Sequence, residues 1–223
     1  MARTDSTAIK DAQKTYLPAA GWHWALPLYD PIVKLLGGEK ARKALLDQAA
    51  VQPTHRVLDI GCGTGTLATL IKRRYPGVTV VGLDPDPKAL ARARRKAERA
   101  AVSIQFDQGF SDELPYPDAS FDRVLSSFMF HHLEPEQREK TLREIRRVLA
   151  PGGSLHLLDF SGDEPHSHGL ARLFHSRHRL KDNSEGRILT LMLEGGFASA
   201  KKVMEGAQLF GIMRTGYYQA VVS

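Results

Sequence analysis

Cysteine is almost missing from this sequence: Cys62 is the only one in 223 residues. An intramolecular disulfide is thereby excluded, as is any multi-cysteine metal cage, and a reducing compartment fits. The opening stretch, residues 1–20, holds Arg3, Asp5, Lys10, Asp11 and Lys14 and no apolar run. It resembles neither a signal peptide nor a membrane span, so the cytoplasm is the expected location. No internal repeat is visible. What is present is ordinary for a soluble globular chain, with 42% hydrophobic and 25% charged residues. The length supports one good core with attachments rather than two full-size domains.

The formal net charge of +6 raises the question of an acidic partner. Arg92, Arg94, Arg95, Lys96 and Arg99 share one segment with Ala89, Leu90, Ala93, Ala97 and Ala100. That pattern suits a helix burying small residues and presenting a solvated basic face. A nucleic-acid or membrane patch is the competing reading.

From residue 55 onward, short β-branched runs alternate with longer helical patterns, which implies a parallel sheet. Strands are expected at Arg56–Ile60, Val78–Leu83, Val102–Phe106, Phe121–Ser126 and Ser154–Phe160. Helices are expected at Thr66–Arg74, Pro87–Ala100, Glu134–Leu149 and Ser184–Glu194, the third stopped by Pro151, Gly152 and Gly153. Ala200–Met204 and Tyr217–Val222 look like an antiparallel pair closing one edge.

The most informative segment is Val57-Leu-Asp-Ile-Gly-Cys-Gly-Thr-Gly65, a buried strand running into three glycines and then a helix. A bare turn lets a ligand approach the backbone, and the helix start offers N–H groups and partial positive charge. The spacing is Gly-x-Gly-x-Gly, not the Gly-x-Gly-x-x-Gly that seats a pyrophosphate. Asp59, two positions before the first glycine, would repel a pyrophosphate but help orient an ammonium group. Asp84 ends the second strand, where a carboxylate can accept both ribose hydroxyls. Cys62 is a small filler in the turn rather than a nucleophile, since no neighbouring histidine or cation would activate it.

With Gly82-Leu-Asp-Pro-Asp86, Leu114-Pro-Tyr-Pro-Asp-Ala-Ser-Phe-Asp122 and Arg147-Val-Leu-Ala-Pro-Gly-Gly153, the turn makes four blocks in order. Over about residues 50–160 the chain resembles the class I S-adenosylmethionine-dependent methyltransferases, particularly the ubiquinone and menaquinone biosynthesis branch. The resemblance implies an α/β, Rossmann-like, doubly wound and mostly parallel seven-stranded sheet. It would carry the antiparallel C-terminal pair and an N-terminal helical extension, residues 1–50, ahead of a methyltransferase domain at 51–223. The implied cofactor is S-adenosyl-L-methionine, leaving S-adenosyl-L-homocysteine as product. Asp59, Gly61, Cys62 and Gly63 would hold its amino-acid end, Asp84 the ribose, Pro85 one face of the adenine, and Ser126 the methionine part. Many relatives supply an aspartate to the adenine from a Gly-Asp-Ala pattern. Gly109-Phe110-Ser111 stands there instead, so stacking on Phe110, a bond from Ser111 or a backbone group would serve.

Methyl transfer from a sulfonium is an in-line displacement with a neutral leaving group, so alignment and desolvation do most of the work. A base is needed only when the acceptor must lose a proton. Ligands sit off the carboxyl ends of parallel strands, which directs attention to Ser127-Phe-Met-Phe-His-His-Leu133 and the stretch after Asp159. His131, or its neighbour His132, is the candidate base. Tyr29 and Tyr16, in the aromatic-rich extension, are expected to reach the cofactor and the reacting centre. His166, His168, His175 and His178 lie among Arg172, Arg177 and Arg179, which would repel a cation. A lid over the acceptor pocket at residues 160–182 therefore fits better than a metal site.

A small-molecule acceptor, taken by a monomer or homodimer, is the leading expectation. The rivals are a nucleic-acid or protein methyltransferase and a non-catalytic module that only binds the cofactor. Ser126-Ser-Phe-Met stands where an Asn-Pro-Pro-Tyr type motif would favour the former, so nucleic acid is not the expected partner. Metalloid methylation would need several cysteines.

Overall fold

Leucine and β-branched runs that are apolar at nearly every position can be buried on both faces only in the middle of a layered sheet, and the chain uses them that way. The computed structural model describes residues 38–161, 185–208 and 213–223. Its elements are α1 (Gly38–Gln48), β1 (Arg56–Ile60), α2 (Thr66–Arg74), β2 (Thr79–Asp84), α3 (Pro87–Arg99), β3 (Gln105–Gln108) and β4 (Phe121–Ser127), followed by a single 3-10 turn at Phe130–His132. Then come α4 (Pro135–Val148), β5 (Leu149–Phe160), α5 (Glu185–Glu194), β6 (Ser199–Gln208) and β7 (Met213–Val221). The seven strands lie in the order β3-β2-β1-β4-β5-β7-β6. β1 to β5 are parallel, and β7 runs antiparallel between β5 and β6.

Alternate strand residues feed two cores. Leu58, Ile60, Val81, Leu83 and Val124 pack with Leu142 and Ile145 of α4 and Ile188 and Leu191 of α5. Val57, Val80 and Leu125 pack on the other side with Leu45 and Leu46 of α1, Ile71 of α2 and Leu90 and Ala93 of α3. α3 buries Ala89, Leu90, Ala93 and Ala97. α1 comes from the segment expected as an extension, yet Leu45 and Leu46 are wholly buried, each such side chain being worth about 1.5–3 kcal/mol. None of the described helices is long and apolar enough to cross a membrane.

Several boundaries differ from the sequence expectation, among them the C-terminal pair, expected at Ala200–Met204 and Tyr217–Val222 but formed at Ser199–Gln208 and Met213–Val221. The third strand was placed at Val102–Phe106 but forms at Gln105–Gln108. Val102 N–H still donates to Ala97 C=O, after Ala101 at φ 52°, so this residue completes the end of α3 rather than pairing. β5 starts early because Leu149 pairs with Phe121 before a register shift carries pairing on to Arg123 and Ser154.

Candidate functional site

The carboxyl ends of β1, β2 and β4 surround a cavity of about 330 Å³, within the size range of small-ligand sites. Gly61, Cys62, Gly63, Asp84 and Pro85 form one part of its wall, with Phe110 and Ser111 beside them. Ser127, Phe128, Met129 and His132 form the opposite part, and Arg42 reaches in from α1.

The glycine turn is closed by its own hydrogen bonds. Gly61 and Cys62 N–H both donate to Leu83 C=O, at 2.8 and 3.0 Å, and Gly65 N–H donates to Cys62 C=O at 2.8 Å. Gly63 N–H donates to Asp84 Oδ2 at 2.8 Å. Gly61 has no room for a side chain: a Cβ there would stand 2.3 Å from Met129 Cγ. At Gly63 a Cβ would meet nothing within 4 Å, because the cavity opens in front of it. Cys62 fills the space over Gly82. Burial, then the charges of Asp59 and Asp84, push its thiol well above the ordinary range, so it is inert packing.

Asp84 also accepts from Asp86 N–H at 2.9 Å. Burial raises its carboxyl to about 6, against the backbone bonds from Asp86 and Gly63. Asp59 does not line the cavity. It sits behind the turn, where Oδ2 accepts Ala68 N–H at 3.0 Å and so caps the first turn of α2, whose start at Gly65 has no side-chain cap of its own. Its Oδ1 is buried with no hydrogen-bond partner among the described residues. Burial pushes this carboxyl up to about 7, against the field of Arg42 and the Ala68 bond.

Two expected residues face away from the cavity, each with a neighbour that faces it. Ser126 is buried, donating to Ile60 C=O at 3.2 Å, while Ser127 is on the wall. His131 is 1% exposed and does not line the cavity, while His132 does. His131 Nδ1 lies 2.5 Å from Asp159 Oδ1, and its N–H donates to Asp159 Oδ2 at 2.9 Å. It is thereby fixed behind the wall, with the His132 ring 4.0 Å away between centroids. Ser111 is on the wall, but its hydroxyl shares a 2.8 Å hydrogen bond with Thr141 of α4. Tyr16, Tyr29, the four clustered histidines and the expected lid beyond Ser161 lie outside the described residues.

Sequence reasoning missed Arg42, whereas Phe128 and Met129 fall in the Ser127–Leu133 stretch it singled out, without a role given to either. Phe128 adopts φ 58°, a strained conformation for an aromatic residue and one that collects at functional sites. Its ring lies 5.0 Å from that of Phe160 and under the Arg42 guanidinium, 5.5 Å from it. The signal for Arg42 was its place on the apolar face of α1 with Ala41, Leu45, Leu46 and Ala49. Nothing in the sequence marks the left-handed backbone of Phe128.

The arrangement offers an acid suited to ribose hydroxyls at one end and an apolar, aromatic chamber at the other. Comparison with known proteins agrees. Residues 57–153 match the family described as a methyltransferase domain. The demethylmenaquinone methyltransferase of Thermus thermophilus is 35% identical over 187 residues, covering 82% of this chain and 81% of that protein. That of Deinococcus radiodurans is 42% identical over 137 residues, 60% of this chain and 56% of its own length. In structure, a SAM dependent methyltransferase from Aquifex aeolicus superposes with TM-score 0.69 at 19% identity, covering 91% of this chain and 99% of that one.

Proposed function

The chain belongs to the class I S-adenosylmethionine-dependent methyltransferases, and on that premise we propose that it methylates a small hydroquinone-like acceptor by in-line displacement. The observation that supports this reading best is the two-ended cavity, with Asp84 at one end and Phe128, Met129 and His132 at the other.

The residues fit the cofactor. A carboxylate accepts about four hydrogen bonds, and Asp84 takes two from backbone donors, at 2.8 and 2.9 Å, so ribose hydroxyls can be added. Pro85 and Phe110 offer apolar faces to an adenine. Asp59, which carries its charge only as pH rises through about 7 and has an unsatisfied oxygen, then favours a cationic amino-acid end through its field rather than by lining the wall. When bound, the cofactor supplies an activated methyl group on a sulfonium that departs as a neutral thioether. Phe128, Met129 and Leu133 exclude water and align the acceptor.

An acceptor hydroxyl must ionise before its ring becomes strongly nucleophilic. His132 is the group on the wall that can take that proton at a ring nitrogen, and His131, tied to Asp159, holds the adjoining turn in place. A His132→Gln protein whose turnover and pH profile match wild type would exclude this role.

The cofactor end is tested through Asp84. Asp84→Ala is expected to weaken S-adenosylmethionine binding by about 1–3 kcal/mol, the cost of losing a charged hydrogen-bond partner. The affinity should also depend on pH. The ionised carboxylate accepts hydroxyl bonds and attracts a cation, so affinity rises as pH climbs through about 6. In the ligand-free protein the sign is opposite. A raised folded pKa contributes stability that is present below the unfolded value and lost as pH rises through about 6 for Asp84 and about 7 for Asp59. Calorimetric titration across this range checks the affinity statement, since Asp84→Asn should flatten the affinity step, and thermal unfolding of the ligand-free wild-type protein over the same range checks the stability one. Binding that is independent of both pH and Asp84 would reject the assignment.

A further inference from the structure

Arg42 has no part in the function described so far, although it is one of the few charged side chains on the cavity wall. It is 8% exposed, and a guanidinium cannot shed its proton to escape burial. Among the described residues it makes one hydrogen bond, from Nε to Ser127 Oγ at 3.3 Å, lies 5.5 Å from the Phe128 ring and sits in the field of Asp59. Among the described residues its Nη atoms have no hydrogen-bond partner. Arg138, similarly buried, is a contrast: it donates to Leu133 C=O and stacks on Phe130, away from the cavity.

A second observation points the same way. A glycine turn before a helix usually receives an anion on its backbone N–H groups. Here the N–H groups of Gly61, Cys62, Gly63 and Gly65 are all spent on Leu83, Asp84 and Cys62. Lys96, the nearby cation, is held by Thr64 and Thr66. The planar fork of Arg42, made to pair with two oxygens at once, is a cationic donor set on the cavity wall and can face an anion. It stands on a fixed element, since Gln48 of α1 donates to Tyr218 C=O at 3.2 Å and Arg123 donates to Ala49 C=O at 2.9 Å.

We propose that Arg42 is the oxyanion anchor of the cavity, gripping through its Nη atoms a carboxylate or ionised hydroxyl of the bound ligands. The oxyanion belongs either to the amino-acid end of the cofactor or to the acceptor. The assignment rests on the cofactor reading of the cavity, and its test keeps the two apart.

Wild-type, Arg42→Ala and Arg42→Lys proteins are titrated calorimetrically with S-adenosylhomocysteine and with methylthioadenosine, which keeps the nucleoside and thioether but lacks the amino acid. If the cofactor carboxylate is the partner, Arg42→Ala weakens S-adenosylhomocysteine by at least about tenfold, the scale of a charged hydrogen bond. Methylthioadenosine then binds as to wild type, which also shows that the variant is folded, and Arg42→Lys falls between. If the acceptor is the partner, S-adenosylhomocysteine keeps its affinity and the acceptor KM rises by a similar factor with kcat held. Unchanged affinity and KM would overturn the proposal, as would equal losses for both nucleosides, which would mark Arg42 as packing. Wild-type protein that binds neither nucleoside would remove the cofactor reading itself, and the anchor with it.

Discussion

Asp159→Ala is expected to lower the free energy of unfolding by about 3–5 kcal/mol, the range for removing one partner of a buried charged pair. Asp159 is fully buried and accepts three bonds: His131 N–H at 2.9 Å, His131 Nδ1 at 2.5 Å and Phe160 N–H at 2.7 Å. Removal strands these donors in a dry interior, where each unsatisfied group costs about 1–3 kcal/mol. Burial by itself would raise the carboxyl's pKa. The His131 charge and hydrogen bond, with the Phe160 and His131 N–H groups, outweigh it and hold the group below the usual range. Its contribution is therefore present above the unfolded value and lost as pH falls through the lower folded one. Urea unfolding at neutral pH reads the effect as a large fall in midpoint. A loss under about 1 kcal/mol, the scale of an ordinary surface change, would show that the pair is not the lock it is taken to be.

Gly65→Ala is expected to cost about 2–5 kcal/mol, the sum of a left-handed backbone and an overpacked contact. Gly65 has φ +74°, and a Cβ there would stand 2.8 Å from Ala93 Cβ and 3.1 Å from both Ala93 Cα and Phe106 Cζ. Ala93 is wholly buried on α3 and has no flexible end to move aside. The start of α2 would have to shift instead, and with it the bond from Ala68 to Asp59. Thermal unfolding should thus show a lowered melting temperature together with weakened cofactor binding. An unchanged melting temperature would contradict the packing described between the turn and α3.

The same two sites show what was legible beforehand. The strand, the three glycines and the acid ending the next strand are contiguous signals, and they predict a β–turn–α unit with a ligand in front of it. The small-residue face of α3 was equally plain from its helical period. The His131–Asp159 pair was not, because it depends on β4 and β5 lying side by side with Ser127 opposite Leu158. Side-chain phase at the end of β4 was the other failure. Choosing Ser126 over Ser127 is a one-residue slip, and in a strand one residue is the difference between the two faces; His131 and His132 stand on the 3-10 turn beyond it, where the bond of His131 to Asp159 decides which ring lies behind the wall. Asp59 was recognised as important for the right charge but the wrong contact: it supports the turn from behind. Arg42 was visible as a charge on an apolar helix face, a signal that acquires meaning only when that face is seen to border a cavity.

The most direct test of the whole account follows a methyl group. Purified protein is incubated with methyl-labelled S-adenosylmethionine and demethylmenaquinone reduced to its hydroquinone, and the products are analysed by mass spectrometry. The account predicts labelled methyl on the small acceptor, with one S-adenosylhomocysteine formed for each methyl transferred. Label found only in protein or nucleic acid, or cofactor bound with no transfer to any hydroquinone, would contradict it.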